Sequence, residues 1–357
     1  MDHSTHYFGA GPAALPLAVK QQIQPDIIQY KNTCVSILEL SHRSDAFAQI
    51  LSRAQQNLRE LYSISSEYKI IFMHGGATAQ FDAIPLNLLG SAKQMTYVNT
   101  GYWSKKAADI AKKYGNVQLI DGLNRDNGSI CCVSPAEWGV KSDSAYVHIT
   151  PNETIEGIEL KQIEDSPVPL VADATSCLLM QPFDVSQFGL IYAGTQKTLG
   201  IAGLTVVIIR EDLLDRVADH TPWLYRYDAH VRENSIVNTA PVFACYVTQL
   251  MLEWVKKQGG IAQMHADAQK RAACLYAAID QNAALMNSVC DASRSDVNVV
   301  FDFVHKEKID EFLSAAREQG LHGLKGHRMV GGIRASMYNG TPMQAVEELV
   351  ALLQQVS

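Results

Sequence analysis

The sequence predicts an α/β protein: a large domain on a mainly parallel, doubly wound sheet with helices on both faces, followed by a smaller α+β domain. Three observations carry this. Short β-branched runs alternate with longer amphipathic stretches, the pattern of a sheet crossed over by helices. A chain of 357 residues, 47% hydrophobic and 19% charged, can fill a large core and usually two unequal domains. The pattern then changes character after Gly259–Gly260.

In chain order, the stretch "AFAQILSRAQQNLRELYSI" reads as a helix and "KIIFM" as a strand. "QMTYVN", "VQLI", "AYVHIT", "PLVAD", "GLIYAG" and "LTVVIIR" are further strands, with "YWSKKAADIAKKYG" as a helix among them. "PVFACYVTQLMLEWVKKQGG" is a long apolar-striped helix ended by its two glycines. Beyond lie the helix "IAQMHADAQKRAACLYAAIDQ", the strand "VNVVFDF", then "KIDEFLSAAREQG", "GGIRASMY" and the terminal helix "PMQAVEELVALLQQV". The expected division is a large domain over 16–258 and a small one over 259–357, joined by 1–15.

Thirty basic against 37 acidic residues give a net charge of −7, which argues against nucleic-acid or anionic-membrane partners. Local basic clusters therefore call for a small anionic ligand. The start, "MDHSTHYFGAGPAALP", lacks the basic-then-apolar pattern of a leader, and no apolar run reaches membrane-spanning length. Seven scattered cysteines, without C-x-x-C pairs, predict neither a zinc site nor a disulfide framework. A cytoplasmic protein is expected.

Lys197 lies between two strand-like runs in "LIYAGTQKTLGIAGLTVVII". A loop lysine is ordinarily a solvated one. Desolvated at a strand end, it is instead a Schiff-base nucleophile with a depressed pKa, at the edge where open α/β sheets bind ligands. Asp173, ending "PLVAD", either caps the next helix or pairs with a ligand. An amine and a carboxylate at neighbouring strand ends match pyridoxal phosphate, whose aldehyde needs the first and whose pyridinium nitrogen needs the second. Gly75–Gly76, before a helical stretch, either form an ordinary turn or present the amides of Ala77 and Thr78 to a phosphate. Trp103, expected on a loop after "QMTYVN", either fills core or stacks on a flat ring.

Together, "FGAGPAALP", "ELSHRSDAF", "HGGATAQF", "VNTGYWSKKA", "PNETIEG", "VADATS", "IYAGTQKTLG", "NSIVNTAPVFA" and "LKGHRMVGGIRASMYN" resemble the phosphoserine aminotransferases, in order from about Phe8 to the C-terminus. "ELSHRS" and "GHRMVGGIRAS" are the specific parts, since the Asp–Lys pair fits any aminotransferase of the fold. The resemblance implies an aspartate aminotransferase-like, fold type I, seven-stranded large domain and a homodimer with active sites at the interface. It implies that Lys197 bonds to the pyridoxal phosphate aldehyde and then moves the proton between substrate and cofactor. It further implies that Asp173 pairs with the ring nitrogen, Trp103 stacks on the ring and Thr154 meets the ring oxygen. Ala77, Thr78 and Gln196 would hold the phosphate, with Asn238 and Thr239 reaching in from the other subunit. Arg334 would fork onto the substrate α-carboxylate. His42, Arg43, His327 and Arg328 would form the distal anion pocket, for the phosphate of 3-phosphohydroxypyruvate in one half-reaction and the γ-carboxylate of L-glutamate in the other. The one-carbon-longer 3-hydroxy-2-oxo-4-phosphooxybutanoate, on the route to pyridoxine, is a second implied substrate.

Thr195, Thr198 and Ile201 stand where the family usually has Ala, Asn and Pro; Tyr7 and Gly9 replace the more frequent Asn and Ser, and "YNGTP" replaces "YNAMP". None removes a required charge. An alanine–glyoxylate aminotransferase would have no use for the basic clusters, and a cysteine desulfurase would want a mobile cysteine where only Cys274 and Cys290 occur. A DNA-binding regulator needs a basic segment that is absent, and an inactive scaffold would have no need of the lysine.

Overall fold

The structure is a computed structural model that describes residues 5–92, 94–126 and 128–355. The expectations for residues 1–4 and for the last two residues lie outside the described residues. Helices α1 (Leu17–Asp26) and α2 (Asp45–Tyr62) precede strand β1 (Tyr68–His74). Then come α3 (Ala77–Leu88), β2 (Gln94–Asn99), α4 (Tyr102–Ala111), β3 (Asn116–Asp121), β4 (Val147–Ile149), β5 (Leu170–Asp173), β6 (Phe188–Gly194) and β7 (Leu204–Arg210). Helices α5 (Tyr227–Arg232) and α6 (Val242–Lys257) complete this part.

The seven strands form one sheet in the order β1-β7-β6-β5-β4-β2-β3. Only β7 is reversed: it runs antiparallel to β6 and to β1, with Gly194 opposite Thr205 and Phe72 opposite Val206. Alternate strand residues serve opposite faces, as the two-residue period of a strand requires. Ile70 and Phe72 join Phe47, Ile50, Leu51 and Leu58 of α2 in one core, while Ile71 and Met73 join Phe81 and Ile84 of α3 in another. Each such side chain, buried almost completely, contributes about 1.5–3 kcal/mol. Ser44 starts α2 by accepting the Phe47 N–H at 3.2 Å.

The rest of the chain adds α7 (Gly260–Asp280), β8 (Leu285–Met286), β9 (Asn298–Phe303), α8 (Lys308–Glu318), β10 (Ile333–Ser336) and α9 (Met343–Leu353). Strands β8, β9 and β10 form an antiparallel sheet against its own core of Leu275, Phe301, Phe303, Phe312 and Leu349. Phe8 packs into this core, and His6–Tyr7 pairs in parallel with Leu321–His322. Helix α7 gives its first turns to the α2–α6 core and its last to the small one.

One cysteine pair departs from the expectation of no disulfide. Cys131 is bonded to Cys290, with Cα atoms 5.5 Å apart. A hairpin of Leu123–Asp126 and Ser129–Cys132 places them together: the Ile130 N–H donates to the Ser288 carbonyl at 2.8 Å, and the Cys290 N–H donates to that of Ile130 at 3.0 Å. That pairing spans 159 residues and leaves no local spacing signal. No helix among the described residues is long and apolar enough to cross a membrane.

Candidate active site

The carboxyl ends of β4, β5 and β6 open onto a cavity of about 110 Å3 bordered by the start of α3 and by Trp103. Lys197 lies on the link from β6 to the reversed β7. Glycine is needed at the end of β6, because a Cβ on Gly194 would sit 3.1 Å from the Ala77 amide nitrogen and 2.6 Å from Gln196 Oε1. The link is fastened at both ends: the Thr195 N–H donates to the Leu204 carbonyl at 3.0 Å, and the Ala13 N–H donates to that of Gln196 at 2.9 Å. The Thr195 hydroxyl reaches the Leu204 carbonyl at 3.1 Å and the Ile201 carbonyl as well. The threonine that departs from the family's alanine thus adds a clasp to the lysine turn. Thr198, also a departure, is buried with a hydroxyl that has no partner among the described residues.

Lys197 borders the cavity, which accounts for its part exposure, and protein closes around the rest of it. Burial pushes the ammonium down to about 8, with Asp173 and Glu153 pulling the other way. Asp173 ends β5 fully within the fold; burial pushes its carboxyl up, opposed by Thr175 and by the Lys197 charge. Asp173 caps no helix: its Oδ1 accepts the Thr175 N–H at 3.1 Å, leaving the carboxylate facing the cavity it lines.

Across the cavity, Trp103 presents its ring 5.9 Å from Lys197 Nζ and donates its indole N–H to the Thr154 hydroxyl at 3.1 Å. Trp103 is not on a loop but in the first turn of α4. The Ser104 hydroxyl accepts the amides of Thr100 at 2.9 Å and Gly101 at 3.0 Å, which starts the helix directly after the strand. At the start of α3, Gly76 caps without a side chain, so the amides of Ala77 and Thr78 face the cavity with helix polarity behind them.

Ala77, Thr78, Trp103, Asp173, Gln196 and Lys197 are therefore brought together in one cavity, with Thr154 one hydrogen bond behind. Arg334, on β10, joins them through Thr154, whose carbonyl accepts its Nη1–H at 3.2 Å; burial pushes its guanidinium down, and its Nε has no partner among the described residues. The remaining basic residues stand farther out. The His327 ring lies 5.8 Å from that of Tyr102, pushed down by burial and by the Arg334 and Arg328 charges. Arg328, Arg43, Asn238 and Thr239 are exposed and His42 half-buried, and none lines the cavity.

Sequence reasoning missed Thr150, Asn152, Thr175 and Ser176, which also line it. Asn152 Nδ2 donates to Ser176 Oγ and to Asn298 Oδ1, both at 2.8 Å, and Asn298 Nδ2 donates to Ser336 Oγ at 2.9 Å. This buried chain joins the cavity wall to β9 and β10. Its signal was present in the polar cluster "PNETIEG", where only Thr154 stood out. Tyr7 and Gly9 explain each other: a Cβ at Gly9 would lie 2.3 Å from the Tyr7 ring.

An amine, a carboxylate, an indole face and an uncapped helix start suit a flat cationic ring bearing an aldehyde and a phosphate. The buried Thr150 hydroxyl, on the cavity wall without a partner among the described residues, adds a donor for the same group. These residues fit pyridoxal phosphate. Among the described residues no group of side chains could hold a metal ion.

Comparison with known proteins agrees. Residues 5–349 match the family described as aminotransferase class-V. Phosphoserine aminotransferase of Geobacillus kaustophilus is 44% identical over 98% of this chain and 97% of its own. That of Acinetobacter baylyi is 42% identical over 96% of each. The structure of pyridoxal phosphate-bound phosphoserine aminotransferase from Trichomonas vaginalis superposes with a TM-score of 0.93 at 35% identity, covering 99% of this chain and all of that one. With the lysine, the aspartate and the tryptophan gathered in one cavity of this fold, the chain belongs to the aminotransferase class-V family, among the phosphoserine aminotransferases.

Proposed function

We propose that this enzyme transfers the amino group of L-glutamate to 3-phosphohydroxypyruvate, giving 2-oxoglutarate and O-phospho-L-serine in two half-reactions. The observation that carries it is Lys197 and Asp173 at adjacent strand ends, opposite the Trp103 ring, in one cavity. Pyridoxal phosphate, when bound, supplies the electron sink for the charge left on the substrate Cα. Lys197, pushed down to about 8, is basic enough to accept the Cα proton and acidic enough to return it near neutral pH. The Asp173 carboxylate holds a proton on the ring nitrogen. Ala77, Thr78 and Gln196 hold the phosphate, Thr154 meets the ring oxygen, and Trp103 covers one face and excludes water. Arg334, whose Nε has no partner among the described residues, receives the substrate α-carboxylate.

His42, Arg43, His327 and Arg328 form the distal anion pocket in a homodimer, with Asn238 and Thr239 crossing to the partner's phosphate site. The exposure of Arg43, Arg328, Asn238 and Thr239 in the single chain supports this reading. The same pocket accepts 3-hydroxy-2-oxo-4-phosphooxybutanoate, linking the enzyme to pyridoxine as well as serine biosynthesis. The chain works in the cytoplasm, as a large domain over 16–258 and a small one over 259–357 with 1–15. The separate core that holds Phe8 supports that division.

The test is a titration of the holoenzyme with O-phosphoserine and, separately, with L-alanine. Phosphoserine should discharge the visible cofactor band and alanine should not. Equal response to both would remove the phosphate pocket from the account and point to another aminotransferase.

A further inference from the structure

Two carboxylates from one short segment close the N-terminal turn of α4. Glu153, fully buried, accepts the Trp103 N–H at 3.1 Å through Oε2, and the Ser104 N–H at 2.8 Å and hydroxyl at 2.7 Å through Oε1. Glu156 Oε1 accepts the Tyr102 N–H at 2.9 Å. Three successive amides at a helix start are thus taken by acids brought from another part of the chain. Gly101 makes room for both, since a Cβ there would lie 2.7 Å from Glu156 Oε2 and 2.8 Å from Glu153 Cδ.

Starting the helix does not require this. The Ser104 hydroxyl already accepts the amides of Thr100 and Gly101, and a neutral cap of that kind contributes about 0.5–2 kcal/mol by itself. Burying a carboxylate costs several kcal/mol before its hydrogen bonds offset it. What the second arrangement adds is register. Residue 153 fixes the Trp103 backbone, and residue 154 accepts the Trp103 indole N–H at 3.1 Å while giving its carbonyl to Arg334 at 3.2 Å. Two consecutive residues therefore hold both ends of the tryptophan and touch the arginine.

We propose that Glu153 is a positioning residue for the reaction: by fixing the amides of Trp103 and Ser104 it sets the plane of the indole over the cofactor ring. The proposal rests on the functional reading above, in which Trp103 stacks on pyridoxal phosphate. Both Glu153 oxygens act as acceptors, so a glutamine at 153 turns one of them into an NH2 facing an N–H donor. The tryptophan must then shift.

The experiment compares holoenzyme with Glu153→Gln, Trp103→Phe and the double variant, reading kcat, KM for glutamate and the circular dichroism of the visible cofactor band. Glu153→Gln should lower kcat by about 10–10²-fold, as misplacement by an ångström does, and reduce the dichroic band at least about twofold. KM for glutamate should change by less than about threefold, because Arg334 still meets the substrate. In the Trp103→Phe background, which keeps the amide but loses the indole N–H that Thr154 holds, the same change should move kcat by less than about threefold. An equal loss in both backgrounds, or wild-type kcat and dichroism in Glu153→Gln, overturns the proposal. If Glu153→Gln does not fold, Glu153→Asp keeps the charge but shortens its reach to the amides of Trp103 and Ser104. Its kcat and dichroism should fall about threefold, and wild-type values would overturn the proposal equally. Unsubstituted enzyme inert toward O-phosphoserine would instead overturn the functional reading, together with the catalytic role built on it.

Discussion

The floor of the cavity and its rim are built differently. Lys197, Asp173, Ala77 and Thr78 stand at the ends of buried strands and at a helix start, each positioned by bonds within the chain. Arg43, Arg328, Asn238 and Thr239 are exposed and do not line the cavity. The residues proposed for the chemistry thus sit at the sheet, and those proposed for distal anions sit on exposed or half-buried surface away from it. Arg334 sits between, half-buried on β10 and fastened to Thr154.

The strongest way to break this contrast is Lys197→Ala. Turnover should fall at least about 10⁴-fold, and the visible band of lysine-bound cofactor should not form. Retained turnover would mean that the floor is not where the proton moves. Arg334→Gln should raise KM for glutamate by about 10–10²-fold, the worth of a lost charge-assisted pair, while the visible band persists. A lost band would place Arg334 with the floor rather than between the two regions.

Asn152→Ala tests whether the floor is braced from β9 and β10. It strands the partners at Ser176 and Asn298 inside the fold and should lower stability by about 2–3 kcal/mol in urea unfolding. A change within about 0.5 kcal/mol would mean the two regions are independent. The next contrast is in pH. The folded chain holds Lys197 at about 8 against an ordinary 10.5, so between those values the unfolded chain binds more protons and stability rises with pH. Cofactor-free wild type should therefore gain on Lys197→Met across that window and sit at a constant deficit below it. A gap that stays level from pH 8 to 10.5 would contradict the buried amine. Arg328→Ala should be the mildest: unfolding within about 0.5 kcal/mol of wild type, with KM for the phosphorylated keto acid raised about tenfold. An unchanged KM would remove Arg328 from the rim.

Much of the floor was legible in the sequence because its residues lie at strand ends, where an apolar run stops at a polar residue. Asp173 closes "PLVAD" and Lys197 comes just after "LIYAG" in that way. The reversal of β7 was not legible, since an apolar strand reads alike in either direction. Nor was the Cys131–Cys290 bond, which joins residues with no local relation. Trp103 was placed on a loop although the helical stretch "YWSKKAADIAKKYG" already begins at Tyr102, where the structure starts α4. Glu153 was passed over because a glutamate in a polar stretch looks like surface until the fold buries it.

The clasped link between β6 and the reversed β7 has a further consequence for anyone altering the length of the chain. A parallel neighbour would need a crossover of a dozen or more residues, which can absorb an added one. Residues 195–203 instead close a tight return whose two ends are bonded to each other and to the N-terminal segment at Ala13. One inserted residue there would break the Gly194–Thr205 register or unseat the amine, so this stretch should tolerate substitution but not spacing changes. The exposed stretch at 141–143 is the place to splice a tag or peptide.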